Sequence, residues 1–171
     1  MKLFLIGYMG CGKSSLGRKL AKAANFRFVD MDSMIEQREG ASVSDIFAYA
    51  GEEYFRRVEQ NIIEEIAQVQ ESLVISTGGG VPTWEDNMER INSIGESFYL
   101  RRTARQIASR LSPHGRYKRP KLRGLNDEEL VEFYSNPTYN MFNLFVNEYL
   151  LVYNEDGDCI DCVCWTGEEY R

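Results

Sequence analysis

The chain has 171 residues, 43% of them hydrophobic and 27% charged, which suits one domain over 1–171 with an adequate core. A net charge of −6 argues against generic nucleic-acid binding, and no apolar run approaches membrane-spanning length. The apolar start at Leu3–Ile6 stops at Gly7, too early for a signal peptide, so a soluble cytoplasmic protein with its four cysteines reduced is expected.

Strand-like and helix-like runs alternate, which predicts a three-layer α/β fold whose parallel sheet is covered on both faces. Strands are expected at Lys2–Ile6, Arg27–Asp30, Leu73–Thr77, Ser97–Leu100 and Tyr149–Tyr153. Helices are expected at Lys13–Ala24, Asp32–Glu39, Val43–Ala50, Glu52–Gln70, Trp84–Ile94, Thr103–Leu111 and Glu128–Val146. Ser42 suits an N-cap with Asp45 in the first turn, and Gly40, Gly51 and Gly95 stand where helices should stop. The segment 112–124 holds two prolines and two glycines and reads as a mobile basic lid. After Tyr153, an Asp-Gly turn and Cys159–Trp165 read as the second half of a hairpin, with a short helix as the competing reading.

Gly7-Tyr8-Met9-Gly10-Cys11-Gly12-Lys13-Ser14 sits between the first strand and the first helix and matches the phosphate-binding pattern G-x-x-x-x-G-K-[ST]. Its glycines let backbone N–H groups turn towards phosphate oxygens, and the helix N-terminus adds a favourable dipole. Lys13 reaches the β- and γ-phosphates and Ser14 ligates Mg²⁺ in such loops. Asp30 and Asp32 follow at the tip of the second strand, where open α/β sheets bind ligands. One carboxylate suits Mg²⁺ and the other an acceptor hydroxyl, although Asp32 also reads as a plain helix N-cap. Arg56 by itself reads as a helix charge paired with Glu52 or Glu59. Gly78-Gly79-Gly80 after a buried strand implies a close approach to the backbone.

Charge is distributed unevenly. From Arg101 to Arg123 there are seven Arg, two Lys and no acid, whereas from Gly124 to Tyr170 there are eleven acids and no Lys or Arg. The basic block suits a lid closing over ATP better than a nucleic-acid site.

Together the phosphate loop, Asp30-x-Asp32, Phe55-Arg56, Gly78-Gly79-Gly80 and Arg119-Pro120 resemble the shikimate kinases in order and approximate spacing, over roughly the first three quarters of the chain. The resemblance implies a nucleoside-monophosphate-kinase-like fold with a five-stranded parallel sheet in the order 2-3-1-4-5. It also implies transfer of the ATP γ-phosphate to the 3-hydroxyl of shikimate. Gly10, Cys11, Gly12, Lys13, Ser14, Ser15, Arg110 and Arg119 would bind ATP, with Arg110 near the adenine. Ser14 and Asp30 would hold Mg²⁺. Asp32, Arg56 and Gly78–Gly80 would bind the acceptor, and Asp32, Lys13 and Arg119 would carry the chemistry. The implied partner is a small polyhydroxy acid, with no nucleic acid or membrane involved and a monomeric protein expected. A gluconate-like acceptor and a nucleotide-binding regulator are the alternative readings.

The chain departs from the family pattern at two places. An arginine that normally follows the lid and grips the acceptor carboxylate is replaced, by Ser135 in one register or Phe142 in another. Lys121, Arg123 and Arg57 are the candidates to compensate, and Lys121 itself stands where an apolar residue is usual. The lone histidine, His114, reads as a surface residue of the basic loop. Cys159, Cys162 and Cys164 read as strand cysteines rather than a metal site, because no fourth ligand is near. The aromatic-rich run Phe133–Tyr153 reads as core.

Overall fold

The computed structural model describes residues 1–117, 119–135, 149–153 and 159–164, with the last two segments and Pro120 described as backbone. One sheet runs through it in the order β2-β3-β1-β4-β5-β6. These strands are β1 (Lys2–Ile6), β2 (Arg27–Asp30), β3 (Leu73–Ser76), β4 (Glu96–Arg101), β5 (Tyr149–Tyr153) and β6 (Cys159–Cys164). The first five are parallel in the expected 2-3-1-4-5 order. The sixth pairs antiparallel with β5, Leu151 opposite Cys162, so the tail forms a strand pair rather than a short helix. The Asp-Gly turn between them lies outside the described residues.

The helices are α1 (Lys13–Ala24), α2 (Met31–Glu39), α3 (Val43–Tyr49), α4 (Gly51–Gln68), α5 (Asn87–Ile94), α6 (Ala104–Arg110), α7 (Pro113–Tyr117) and α8 (Asp127–Ser135). Strand alternation divides the core between the two faces of the sheet. Phe4, Ile6, Leu73 and Ile75 pack with Ile35, Ile46, Ile62 and Ile91 from α2, α3, α4 and α5. Leu5, Val74 and Leu100 pack on the other face with Ala21, Ile107 and Leu130 from α1, α6 and α8. This double burial is why the central strands are apolar at nearly every position.

Several local expectations hold. Ser42 caps α3 through the Asp45 N–H, and Gly40 ends α2 at φ 62°. Gly51, at φ 84°, both follows the end of α3 and begins α4. Others need correction. Trp84 does not start a helix: Val81–Thr83 is a 3-10 turn, Glu85 takes φ 43°, and α5 starts only at Asn87. The 112–124 segment is not a plain loop. It contains α7 and a 3-10 turn at Pro120–Leu122, anchored by the fully buried Leu122. The helix expected over Glu128–Val146 is described over Asp127–Ser135, and residues 136–148, with Phe142 among them, lie outside the described residues. No helix among the described residues is long and apolar enough to cross a membrane.

Candidate active site

The phosphate loop is held through its carbonyls, from within by Lys13 and from outside by Tyr134 and Arg102. Lys13 Nζ donates to Gly7 O at 2.7 Å and Tyr8 O at 3.0 Å. Tyr134 Oη donates to Met9 O and Arg102 Nε to Cys11 O, both at 2.8 Å. Gly10 (φ 85°) and Gly12 (φ 104°) occupy left-handed conformations that strain other residues. No side chain caps α1, so its first-turn N–H groups remain available to an anion. Cys11, expected among the ATP-binding residues, is wholly buried and lines neither of the two cavities beside the loop.

Ser14 Oγ donates to Asp30 Oδ2 at 2.6 Å and lies 3.1 Å from Ser76 Oγ. Asp30, not Asp32, is the N-cap of α2, accepting from the Ser33 N–H. Asp32 is thereby released from capping and faces the cleft. Crowding protein atoms push its carboxyl above the usual carboxylate range, and the charge of Asp30 adds to this. Lys13 and Arg119 pull the other way.

Two cavities flank this point. The first is lined by Gly10, Gly12, Lys13, Ser14, Ser15 and Arg110. Arg110 is near the loop itself: its Nη2 lies 3.7 Å from where a Cβ on Gly12 would stand. The second, of about 260 Å³, is lined by Arg56, Glu59, Gly78, Gly79, Gly80 and Lys121, with Val43 and Phe47 as apolar wall. Asp32, Arg119, Met9 and Gly79 line both.

Arg56 combines the two readings of the sequence. It makes the helix pairs, Nη1 donating to Glu59 Oε2 at 2.6 Å and Nη2 to Glu52 Oε1 at 2.9 Å, and it also faces the second cavity. The triple glycine follows from this crowding. A Cβ on Gly80 would run into the Arg56 guanidinium, and one on Gly78 into Glu59 Oε1. A Cβ on Gly79 would stand 3.0 Å from the Met9 N. Glu59 is fully buried, and its Oε1 accepts no hydrogen bond among the described residues.

Burial pushes the Glu59 carboxyl up to about 7 against the attraction of Arg56, with Asp32 and Glu52 adding to the rise. A carboxyl raised on folding contributes stability below its unfolded value and loses it as pH climbs through the folded one. Wild-type stability relative to Glu59→Gln is therefore expected to fall as pH rises from about 4.5 to about 7, measured by urea unfolding across that range. A flat difference would contradict this environment for Glu59.

Sequence reasoning missed Glu59 as a cavity residue, because it reads as an ordinary helix charge. It also missed Ser76, Arg102 and Tyr134, each of which reaches the site from a distant element. Ser135 bonds back to Val131 O and does not line the second cavity. Arg57 pairs with Glu53 on the surface, and Arg123 engages Tyr117 O and its ring. His114 is exposed on α7, as a surface residue would be.

The family model for shikimate kinase matches residues 9–149. The chain belongs to the shikimate kinase family. It is 46% identical to a shikimate kinase of Parabacteroides distasonis over 77% of this chain and 75% of that one. It is 41% identical to one of Azobacteroides pseudotrichonymphae over 89% and 88%. Among solved structures, the Acinetobacter baumannii shikimate kinase in complex with shikimate superposes with a TM-score of 0.76. That match is 30% identical and covers 90% of this chain and 83% of that one. The Bacteroides thetaiotaomicron shikimate kinase gives a TM-score of 0.72 at 41% identity, over 78% and 74%.

Proposed function

We propose that this protein transfers the γ-phosphoryl group of ATP to the 3-hydroxyl of shikimate. The observation that carries the reading is the junction of the two cavities. A phosphate loop on one side and the Arg56 guanidinium on the other meet at Asp32, Gly79 and Arg119. An acceptor anchored at Arg56 by its carboxylate would present a hydroxyl to Asp32 beside the donor phosphates.

The loop amides and Lys13 bind the phosphates, with Ser15 and Arg110 on the same side. Lys13 would exchange its contacts to Gly7 O and Tyr8 O for phosphate oxygens. Ser14 and Asp30 are adjacent hard oxygen donors that fit Mg²⁺ and would hold it beside the phosphates. When bound, the ion supplies charge stabilisation at the phosphate oxygens. Asp32 orients the acceptor hydroxyl and takes its proton as the oxygen bonds to the γ-phosphorus and the bond to the bridging oxygen of ADP breaks. Arg119 offers positive charge where that transfer occurs. Such catalysis is mostly positioning and electrostatics.

The test is ADP release from Mg²⁺-ATP with shikimate, with gluconate and with no acceptor. Turnover dependent on shikimate is expected. Turnover with gluconate alone, or a rate indifferent to any acceptor, would overturn the reading.

A further inference from the structure

We propose that Lys121 supplies the second cation for the acceptor's carboxylate, beside Arg56. The inference rests on the shikimate reading and concerns how this chain completes the acceptor side.

Arg56 is already committed. Glu59 holds Nη1 and Glu52 holds Nη2, so its charge is balanced before an acid arrives. Asp32 and Glu36 add two more carboxylates to the wall. An incoming carboxylate therefore enters an anion-rich pocket and needs a further positive group. Lys121 Nζ lies 3.4 Å from Glu52 Oε1, the same oxygen that accepts from Arg56. The two cations thus already share one carboxylate oxygen, as they would share a bound carboxylate.

Glu52 can yield that place. Its side chain is 47% exposed, whereas Glu59 is wholly buried and keeps Arg56 oriented when Glu52 turns away. Position also separates Lys121 from Arg119. Arg119 lines both cavities and serves the phosphate junction, while Lys121 lines the acceptor cavity alone. Backbone anchorage supports the geometry: the neighbouring Leu122 is fully buried, so the 3-10 turn that presents Lys121 is tied to the core. Among the described residues, Arg57 and Arg123 are engaged elsewhere.

The test compares shikimate with its methyl ester as acceptors for the wild type, Lys121→Met and Lys121→Arg. Lys121→Met is expected to raise KM for shikimate by roughly 10- to 100-fold, the scale of one charge-assisted hydrogen bond. KM for the ester and for ATP should stay unchanged, and Lys121→Arg should restore discrimination in favour of the acid. An equal rise for acid and ester, or no rise at all, overturns the role of Lys121 while leaving the shikimate reading intact. Failure of the wild type to turn over shikimate overturns that reading, and the assignment with it.

Discussion

Asp32→Asn should lower kcat for shikimate by roughly 10²- to 10⁴-fold, the range for loss of a positioned general base. ATP affinity should change far less, because the proposed phosphate grip is the loop amides and Lys13, not Asp32. The structural reason is a division of labour at the tip of β2. Asp30 caps α2 and bonds Ser14, which leaves Asp32 free at the meeting point of the two cavities. Its raised carboxyl is a stronger base than an ordinary aspartate once ionised. Single-turnover rates and nucleotide titrations on the same preparation separate the two effects. Turnover equal to wild type would remove Asp32 from the chemistry.

Arg56→Met has the second large consequence, on stability as well as binding. Removing one partner of a buried ion pair takes the Arg56 contact from Glu59 Oε2, and Oε1 already has no partner among the described residues. Such a loss costs about 3–5 kcal/mol. The expected result at pH 8 is a fall of that order in unfolding free energy, together with loss of shikimate-dependent turnover. The double variant Arg56→Met/Glu59→Leu distinguishes the causes. It should recover most of the stability, because the uncompensated charge is gone, while acceptor binding stays absent. Recovery of turnover in the double variant would contradict the assignment of Arg56 to the acceptor.

The phosphate loop was legible in the sequence because it is local. Gly7–Ser14 is a contiguous loop whose shape follows from its own glycines and from the helix behind it. The sheet was legible for a similar reason: strands buried on both faces announce themselves as apolar runs. The second cavity is assembled from α2, α3, α4, the glycines after β3 and the turn at Pro120–Leu122. Spacing alone could not say that Glu59 faces the cavity while Arg57, two residues earlier, pairs on the surface. Helical phase decides this only once the buried face of α4 is known. That Asp30 rather than Asp32 caps α2 was hidden similarly, since either aspartate can cap a helix that begins two residues sooner or later. Lys121 was readable as a candidate cation, but its position opposite Arg56 across Glu52 depends on how Leu122 anchors the turn.

The central claim is that one site joins an ATP phosphate grip to a shikimate pocket. It is tested most directly by identifying the product with phosphorus NMR after incubating the protein with Mg²⁺-ATP and shikimate. The account predicts a new phosphomonoester resonance coupled to the proton on carbon 3 of shikimate, growing in step with ADP. ADP accumulating with free inorganic phosphate alone, or a phosphoester on another hydroxyl, would contradict it.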